Sequence, residues 1–269
     1  MKSYSCVDIT AALAAVGINP GDVALVHASL LTVGRFTDAP DAEAPRAIVA
    51  AIGQRLGPDG TLVAPTFNFG FCRGQTYDRQ NTPSEGMGNL AEAIRTAPGA
   101  FHGAHPIQSI AAVGRHAADI CGRDTESAYG LGGPFDRMLQ LGAKLLLFGV
   151  SLQPASLIHY AEERCDVPYR YWKTFAGPYT DGGRTEQRRY KMFVRDMDAN
   201  PRLALRVLED ELARRQTIRA ASLGAGRVRS CTFAEFHQAA IELLTRDPYS
   251  LLANRDAVRA HFTAKAEAR

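Results

Sequence analysis

Apolar positions recur along this chain with two periods. Helical spacing over Cys6–Val16, with Asp8 near the start and Gly17 at the end, predicts a first helix. The continuous run Asp22-Val-Ala-Leu-Val-His27 predicts a buried strand that delivers Ala28–Gly34 as a loop at its carboxyl end. Helical spacing returns over Asp41–Leu56, stops at Gly57-Pro58-Asp59-Gly60, and gives way to a second strand, Thr61–Pro65. Strand, helix, strand with short joints is the order of a parallel crossover unit.

From Thr66 to Gly88 the periodicity lapses into Gly, Asn, Pro and aromatic residues, a loop longer than packing requires and so a candidate binding segment. A helix over Met87–Thr96, a strand over Ser109–Val113, a helix over His116–Ile120, a glycine-rich turn at Gly130–Pro134 and a helix over Phe135–Leu141 follow. The run Ala143–Val150 reads as a strand that turns through Pro154 into a helix carrying His159 and Glu162. Beyond it, Lys173–Gln187 is polar and glycine-rich, Arg188–Val194 predicts a strand, Pro201–Arg215 a helix, Thr217–Ser230 a hairpin, and Thr232–Thr245 an amphipathic helix capped by Thr232. The expected fold is α/β: one domain over residues 1–269 with a central mixed, largely parallel sheet flanked by helices (1–170) and a smaller C-terminal α+β subdomain (171–269) packed on it.

Composition narrows the function classes. Hydrophobic residues at 46% and charged residues at 22% describe an ordinary globular chain. A net charge of +3, without basic runs interleaved with aromatics, argues against nucleic acid. The apolar runs are too short for a membrane span and the N-terminus lacks the apolar segment of a signal peptide, so a cytoplasmic location is expected. Five scattered cysteines with no C-x-x-C pair point to reduced thiols and no metal site. Neither a G-x-G-x-x-G after the first strand nor a Walker-type loop is present.

The helix after Ala143–Val150 carries the strongest candidate chemistry. Its first turns fall at the carboxyl edge of the sheet, where α/β proteins hold ligands, and His159 and Glu162 lie three residues apart on one face. Read alone, the pair is either a general base with an orienting carboxylate or a helix histidine bonded to a glutamate for structural reasons. Gly149-Val-Ser-Leu-Gln153 has Gln153 where a nucleophile elbow needs its second glycine, which makes a serine hydrolase using Ser151 a minor alternative. His159-x-x-Glu162-Glu163 lacks the second histidine of a zinc helix.

Six segments change the balance: Val26–Gly34, Gly60–Phe67, Tyr77–Pro83, His105–Gly114, Ala143–Gly149 and Ser156–Glu162. In this order and at compatible spacings they resemble the aminoglycoside 3-N-acetyltransferase family over roughly residues 5–200. The resemblance implies acetyl transfer from acetyl-coenzyme A, as co-substrate, to an amine on a fold unlike that of the other large acetyltransferase superfamily. It further implies His159 as general base beside Glu162, with Asp78, Asp196 and Asp198 around the acceptor amine. Ser29, Leu30, Gly34, His105 and Ser109 would lie near the coenzyme. Such chemistry is coherent, since an amine attacks a thioester only when unprotonated. Backbone N–H groups of the Ala28–Thr32 loop are candidates for the developing oxyanion, and Arg35 or Arg73 for the coenzyme phosphates.

Ala28 stands where the family has a serine and Gly133-Pro134 where it has Ser-Pro, removing hydroxyls from the expected coenzyme side. A larger departure is electrostatic: Arg184, Arg188, Arg189, Lys191 and Arg195 crowd the segment before Asp196. If these line the cleft, the acceptor is an amino sugar carrying phosphate, nucleotide-linked for example, or another anionic amine. A coenzyme-binding protein without catalysis is a further alternative. The sequence leaves monomer and homodimer both open.

Overall fold

Three apolar runs form the middle of a seven-stranded sheet, and their continuous hydrophobicity follows from burial on both faces. The structure, a computed structural model, describes residues 2–267. Its elements in chain order are β1 (Ser3–Tyr4), α1 (Cys6–Ala15), β2 (Val23–Ala28), β3 (Arg35–Phe36), α2 (Ala44–Leu56), β4 (Thr61–Pro65), β5 (Tyr77–Asp78), α3 (Asn89–Arg95), β6 (Phe101–His102), β7 (Ile110–Gly114) and α4 (Ala117–Cys121). Then come α5 (Pro134–Gln140), β8 (Lys144–Phe148), α6 (Ile158–Arg164), β9 (Arg170–Asp181), β10 (Arg184–Arg195), α7 (Arg206–Arg214), β11 (Arg219–Leu223), β12 (Gly226–Thr232), α8 (Phe233–Arg246) and α9 (Arg255–Glu267).

Strand order in the large sheet is β11-β12-β8-β2-β4-β7-β6. Side chains alternate between two cores. Leu25, Val63, Leu145 and Leu147 pack under α4, α5, α6 and α8, whereas Ala24, Val26, Leu62, Leu146 and Phe148 pack under α1, α2 and α3. The result is the expected mixed sheet flanked by helices. Its parallel part is smaller than expected: β8–β2 and β2–β4 run parallel, while β11–β12, β12–β8, β4–β7 and β7–β6 are antiparallel. An apolar run carries no direction, and only residues 22–65 showed the full crossover order.

The region after Arg170 departs most from expectation. Lys173–Gln187, read from its sequence only as polar and glycine-rich, belongs to a hairpin of two twelve-residue strands, β9 and β10, closed by Gly182-Gly183 at φ +56° and +78°. Two consecutive positive φ values are what a two-residue hairpin turn demands. This hairpin pairs with β5 in a separate three-stranded sheet over the aromatic cluster of Phe71, Tyr77, Tyr179 and Tyr190, while β11 and β12 extend the large sheet from β8. The helix expected from Pro201 starts at Arg206, and α9 follows the last helix foreseen. Among the described residues no helix is long and apolar enough to cross a membrane, and no group of His, Cys, Asp or Glu is arranged to hold a metal.

The parallel strands β2, β4 and β8 end at Ala28, Pro65 and Phe148 on one edge, and the loops leaving that edge are tied together. Ser29 N donates to Phe148 O at 2.9 Å, Thr32 Oγ1 to Ser29 O at 2.8 Å and also to Gly149 O. Gly149, at φ +75°, faces this loop so closely that a Cβ would meet Thr32 Oγ1 and Val33 Cγ2 at 2.6 Å. Gly149→Ala is therefore expected to lower the unfolding free energy by roughly 2–4 kcal/mol. Gly142→Ala, at φ +66° in open space, loses only about 1 kcal/mol from backbone strain. Chemical denaturation of the two variants side by side checks the difference.

Candidate active site

The segment leaving β8 turns at Gly149 and enters α6 through a tight first turn, with His159 N donating to Ser156 O and Tyr160 N to Leu157 O, both at 3.1 Å. Ile158 and Ala161 face the core and hold the helix down, which carries Glu162 into the interior, fully buried. After the helix, Asp166 adopts φ +45° and Val167 N reaches back to Glu162 O. This reversal returns Tyr169 and Arg170 to the Glu162 carboxylate.

Glu162 is the centre of the site. His159 Nδ1 lies 2.6 Å from its Oε2, Arg170 Nη2 3.0 Å from the same oxygen, and Tyr169 OH donates to Oε1 at 3.0 Å. Arg170 Nη2 is also 3.3 Å from His159 Nδ1, but the nearer partner is the ionised carboxylate, which only accepts. The arrangement therefore assigns the proton to Nδ1, which donates to Glu162, and leaves the Nε2 lone pair unengaged. Burial pushes the Glu162 carboxyl up, but the Arg170 charge and the hydrogen bonds from His159 and Arg170 more than offset it, so it is held below its ordinary value. Burial holds the His159 imidazole below its ordinary value; the bond to Glu162 opposes this and the Arg170 charge adds to it. At neutral pH the pair is thus a carboxylate and a neutral imidazole. The adjacent Glu163 has the opposite fate: burial pushes it up to about 7, with Ser127 Oγ donating to it at 2.5 Å.

His159 borders a cleft of about 670 Å³ between α6 and the base of the hairpin. Phe69, Gln108, Gln153, Tyr171 and Phe175 line it together with Arg170, Lys173, Arg195 and Arg202, and no carboxylate does. A wider basin of about 1220 Å³ shares Arg170, Tyr171 and Met197 with it and contains Asp196, Asp198 and Glu267. On the sheet edge behind His159, His27 Nε2 lies 3.3 Å from Ser156 Oγ, beside a small apolar pocket that includes Ala28, Phe67 and Val150. Burial and the nearby His159 hold His27 down at about 4, so it is neutral.

The other expected residues divide. Asp196 and Asp198 lie in the wider basin, and Asp196 caps its own turn through Asp198 N and Ala199 N while pairing with Lys265 at 3.2 Å. The carboxylate hydrogen-bonded to His159 is that of Glu162. Asp78 is outside both clefts: its carboxylate accepts from Gln80 N, Asn81 N and Asn81 Nδ2, an Asx-type turn. Ser29 and Leu30 sit on the tied loop at the end of β2, and Gly34 lies under the Lys2 backbone. His105 and Ser109 are apart from them, closed into the aromatic cluster. His105 Nδ1 accepts from Ile107 N and Gln108 N, and Ser109 Oγ meets Tyr77 OH at 2.9 Å. Gln108 is the residue of that segment that reaches the cleft.

Arg73 is held by Glu85 at 2.6 Å, and Ser151 is exposed without a histidine partner. Of the five cations expected near Asp196, only Arg195 lines the cleft. Arg188 pairs with Asp124 and Glu186, Lys191 with Glu126, and Arg184 lies at the hairpin's far end. Sequence reading missed Tyr169, Arg170, Lys173 and Arg202. The alternation Tyr171, Lys173, Phe175 was the available signal for a cleft-facing strand.

Residues 25–245 match the family model described as aminoglycoside 3-N-acetyltransferase. The chain is 32% identical over 241 residues to aminoglycoside N(3)-acetyltransferase III of a Salmonella species, covering 82% of this chain and 81% of that protein. It is 28% identical over 210 residues to aminoglycoside N(3)-acetyltransferase VIII of Streptomyces fradiae, covering 70% and 69%. Among solved structures, "AAC-IIIb binary with CoASH" superposes with a TM-score of 0.79 at 25% identity over 91% of this chain and 97% of that one. The YokD protein from Bacillus subtilis superposes at 0.77 with 20% identity, over 91% and 95%.

Two variants test the electrostatics. Arg170→Ala removes a cation from the pair, so the His159 pKa is expected to rise, whereas Glu162→Gln removes the anion and lowers it further. Histidine NMR titration reads both, and movement of the two in the same direction would refute the assigned roles.

Proposed function

The chain belongs to the aminoglycoside 3-N-acetyltransferase family, and from that premise we propose that it transfers the acetyl group of acetyl-coenzyme A directly to a primary amine of an aminoglycoside or related amino sugar, with His159 as general base. The observation that carries the reading is the 2.6 Å bond from His159 Nδ1 to buried Glu162, with the ring's other nitrogen free beside the cleft. A relative's solved complex with CoASH supports the donor.

The steps follow from the charges. The unprotonated amine attacks the thioester carbonyl, and the developing N–C bond makes its proton acidic. His159 Nε2 takes that proton, and Glu162 stabilises the imidazolium through Nδ1–H. Collapse breaks the C–S bond, the electron pair leaves on sulfur, and the imidazolium returns a proton to the thiolate. No covalent enzyme intermediate is needed, so both substrates are held at once and aligned by the loops at the sheet edge. Tyr169 and Arg170 position Glu162, and the lowered His159 pKa keeps the base neutral at physiological pH. In this reading Asp198, which lines the adjoining basin with Asp196, is the carboxylate available to an outlying ammonium group of an acceptor, since Asp196 is paired with Lys265 and Asp78 is turned into its own loop.

In a thiol-release assay with acetyl-coenzyme A and an amino-sugar acceptor, His159→Ala is expected to lower kcat at pH 7 by about 10²–10⁴-fold. Because the folded pKa is depressed, the wild-type acid limb has its midpoint below the ordinary histidine value of about 6.5. Near-normal turnover in His159→Ala overturns the assignment.

A further inference from the structure

A site for polycations gathers carboxylates where the acceptor approaches. The wall beside His159 is charged the other way. Lys173, Arg195 and Arg202 line it, and none pairs with a carboxylate among the described residues: Lys173 lies over the Phe175 ring and Arg195 Nη1 donates to Pro201 O. Arg170 differs, its charge being matched by Glu162. The nearby carboxylates lie across Tyr171 and Met197 in the wider basin, where Asp196 is already held by Lys265.

We propose that the acceptor is an amino sugar carrying phosphate, its anion held by Lys173, Arg195 and Arg202 while its amine meets His159. This rests on the transfer reaction proposed above and names its substrate class. Three features agree with it. Gln108 lines the cleft and its amide oxygen, buried in the wall, has no partner, so a rotation of that side chain would offer an amine N–H an acceptor that leaves the amine uncharged more readily than a carboxylate would. Tyr171 and Phe175, on the cleft face of β9, give a sugar or nucleobase a flat surface beside the cations. A different cleft next to Ser151 carries Arg206, Arg227 and Arg229, but there Asp210 and Glu209 pair with Arg206 and Arg229, so the cleft beside His159 is the one whose cations are left for an anion.

The test is calorimetric binding to the coenzyme A-loaded protein of four probes: glucosamine, glucosamine 6-phosphate, UDP-glucosamine and sisomicin. At least one phosphate-bearing probe is expected to bind about tenfold or more tightly than glucosamine and sisomicin, with a preference that weakens as salt rises. UDP-glucosamine as the tighter of the two assigns the aromatic wall to the nucleobase, and glucosamine 6-phosphate as the tighter assigns the site to a sugar monophosphate. The double variant Lys173→Glu with Arg202→Glu, both exposed, is expected to erase the preference while coenzyme A affinity stays within about twofold. Tighter binding of sisomicin overturns the proposal. So does a double variant that loses coenzyme A binding yet keeps the phosphate preference, because the cations would then serve the coenzyme. Thiol release with the same probes, in wild type and His159→Ala, reports the underlying reaction separately. A phosphate preference without thiol release would uphold the anion site and overturn the transfer.

Discussion

A carboxylate with no exposed surface dictates the arrangement of this site. Glu162 is ionised in the interior only because an imidazole, a guanidinium and a phenol converge on it. An uncompensated buried charge costs several kcal/mol, so the three partners are as much conditions of folding as of chemistry. One helix position further on, Glu163 lacks such partners beyond Ser127 and is pushed up to about 7. The contrast shows how a rotation of about 100° per residue moves two adjacent glutamates in opposite directions from the ordinary carboxylate range.

Satisfying that carboxylate also fixes the tautomer of the histidine. Arg170 and Nδ1 share the same oxygen, and because an ionised carboxylate can only accept, the ring must present its proton inward and its lone pair outward. The bond that makes Glu162 tolerable in the core is the bond that would ready His159 for the proton abstraction proposed above. The sheet edge completes the framework, since the ends of β2 and β8 are joined through Ser29, Thr32 and Gly149 and hold the entry to α6 in place.

What the sequence disclosed follows local physics. The middle strands were legible because burial on both faces leaves an unbroken apolar run, and the His159–Glu162 pair because three residues is one helical turn. Strand direction was not legible, so β7 and the hairpin containing β12 were foreseen as strands but not as the antiparallel flanks of the large sheet. Tyr169 and Arg170 were hidden by the reversal at Asp166, which joins residues that no periodic pattern connects. Asp78 and His105 show the limit of residue type, since the groups that suit a ligand equally suit an Asx turn or a buried loop. The basic cluster misled for a geometric reason: at about 3.3 Å per residue, a twelve-residue strand spreads its ends roughly 35 Å apart, leaving Arg195 at the cleft and Arg184 far from it.

The hairpin of β9 and β10 places the base-supporting Arg170 at its foot, while Tyr171, Lys173 and Phe175 and their register neighbours Val194 and Met192 present side chains to the cleft from a surface face. Backbone pairing there does not depend on the identity of those side chains. Under the proposed reaction, acceptor preference is therefore evolvable apart from proton transfer: exchanges on one strand face alter what is recognised at little cost to stability, whereas buried Glu162 and its three partners tolerate almost none. A lineage with this architecture can change its chemistry's target while the reaction itself stays fixed.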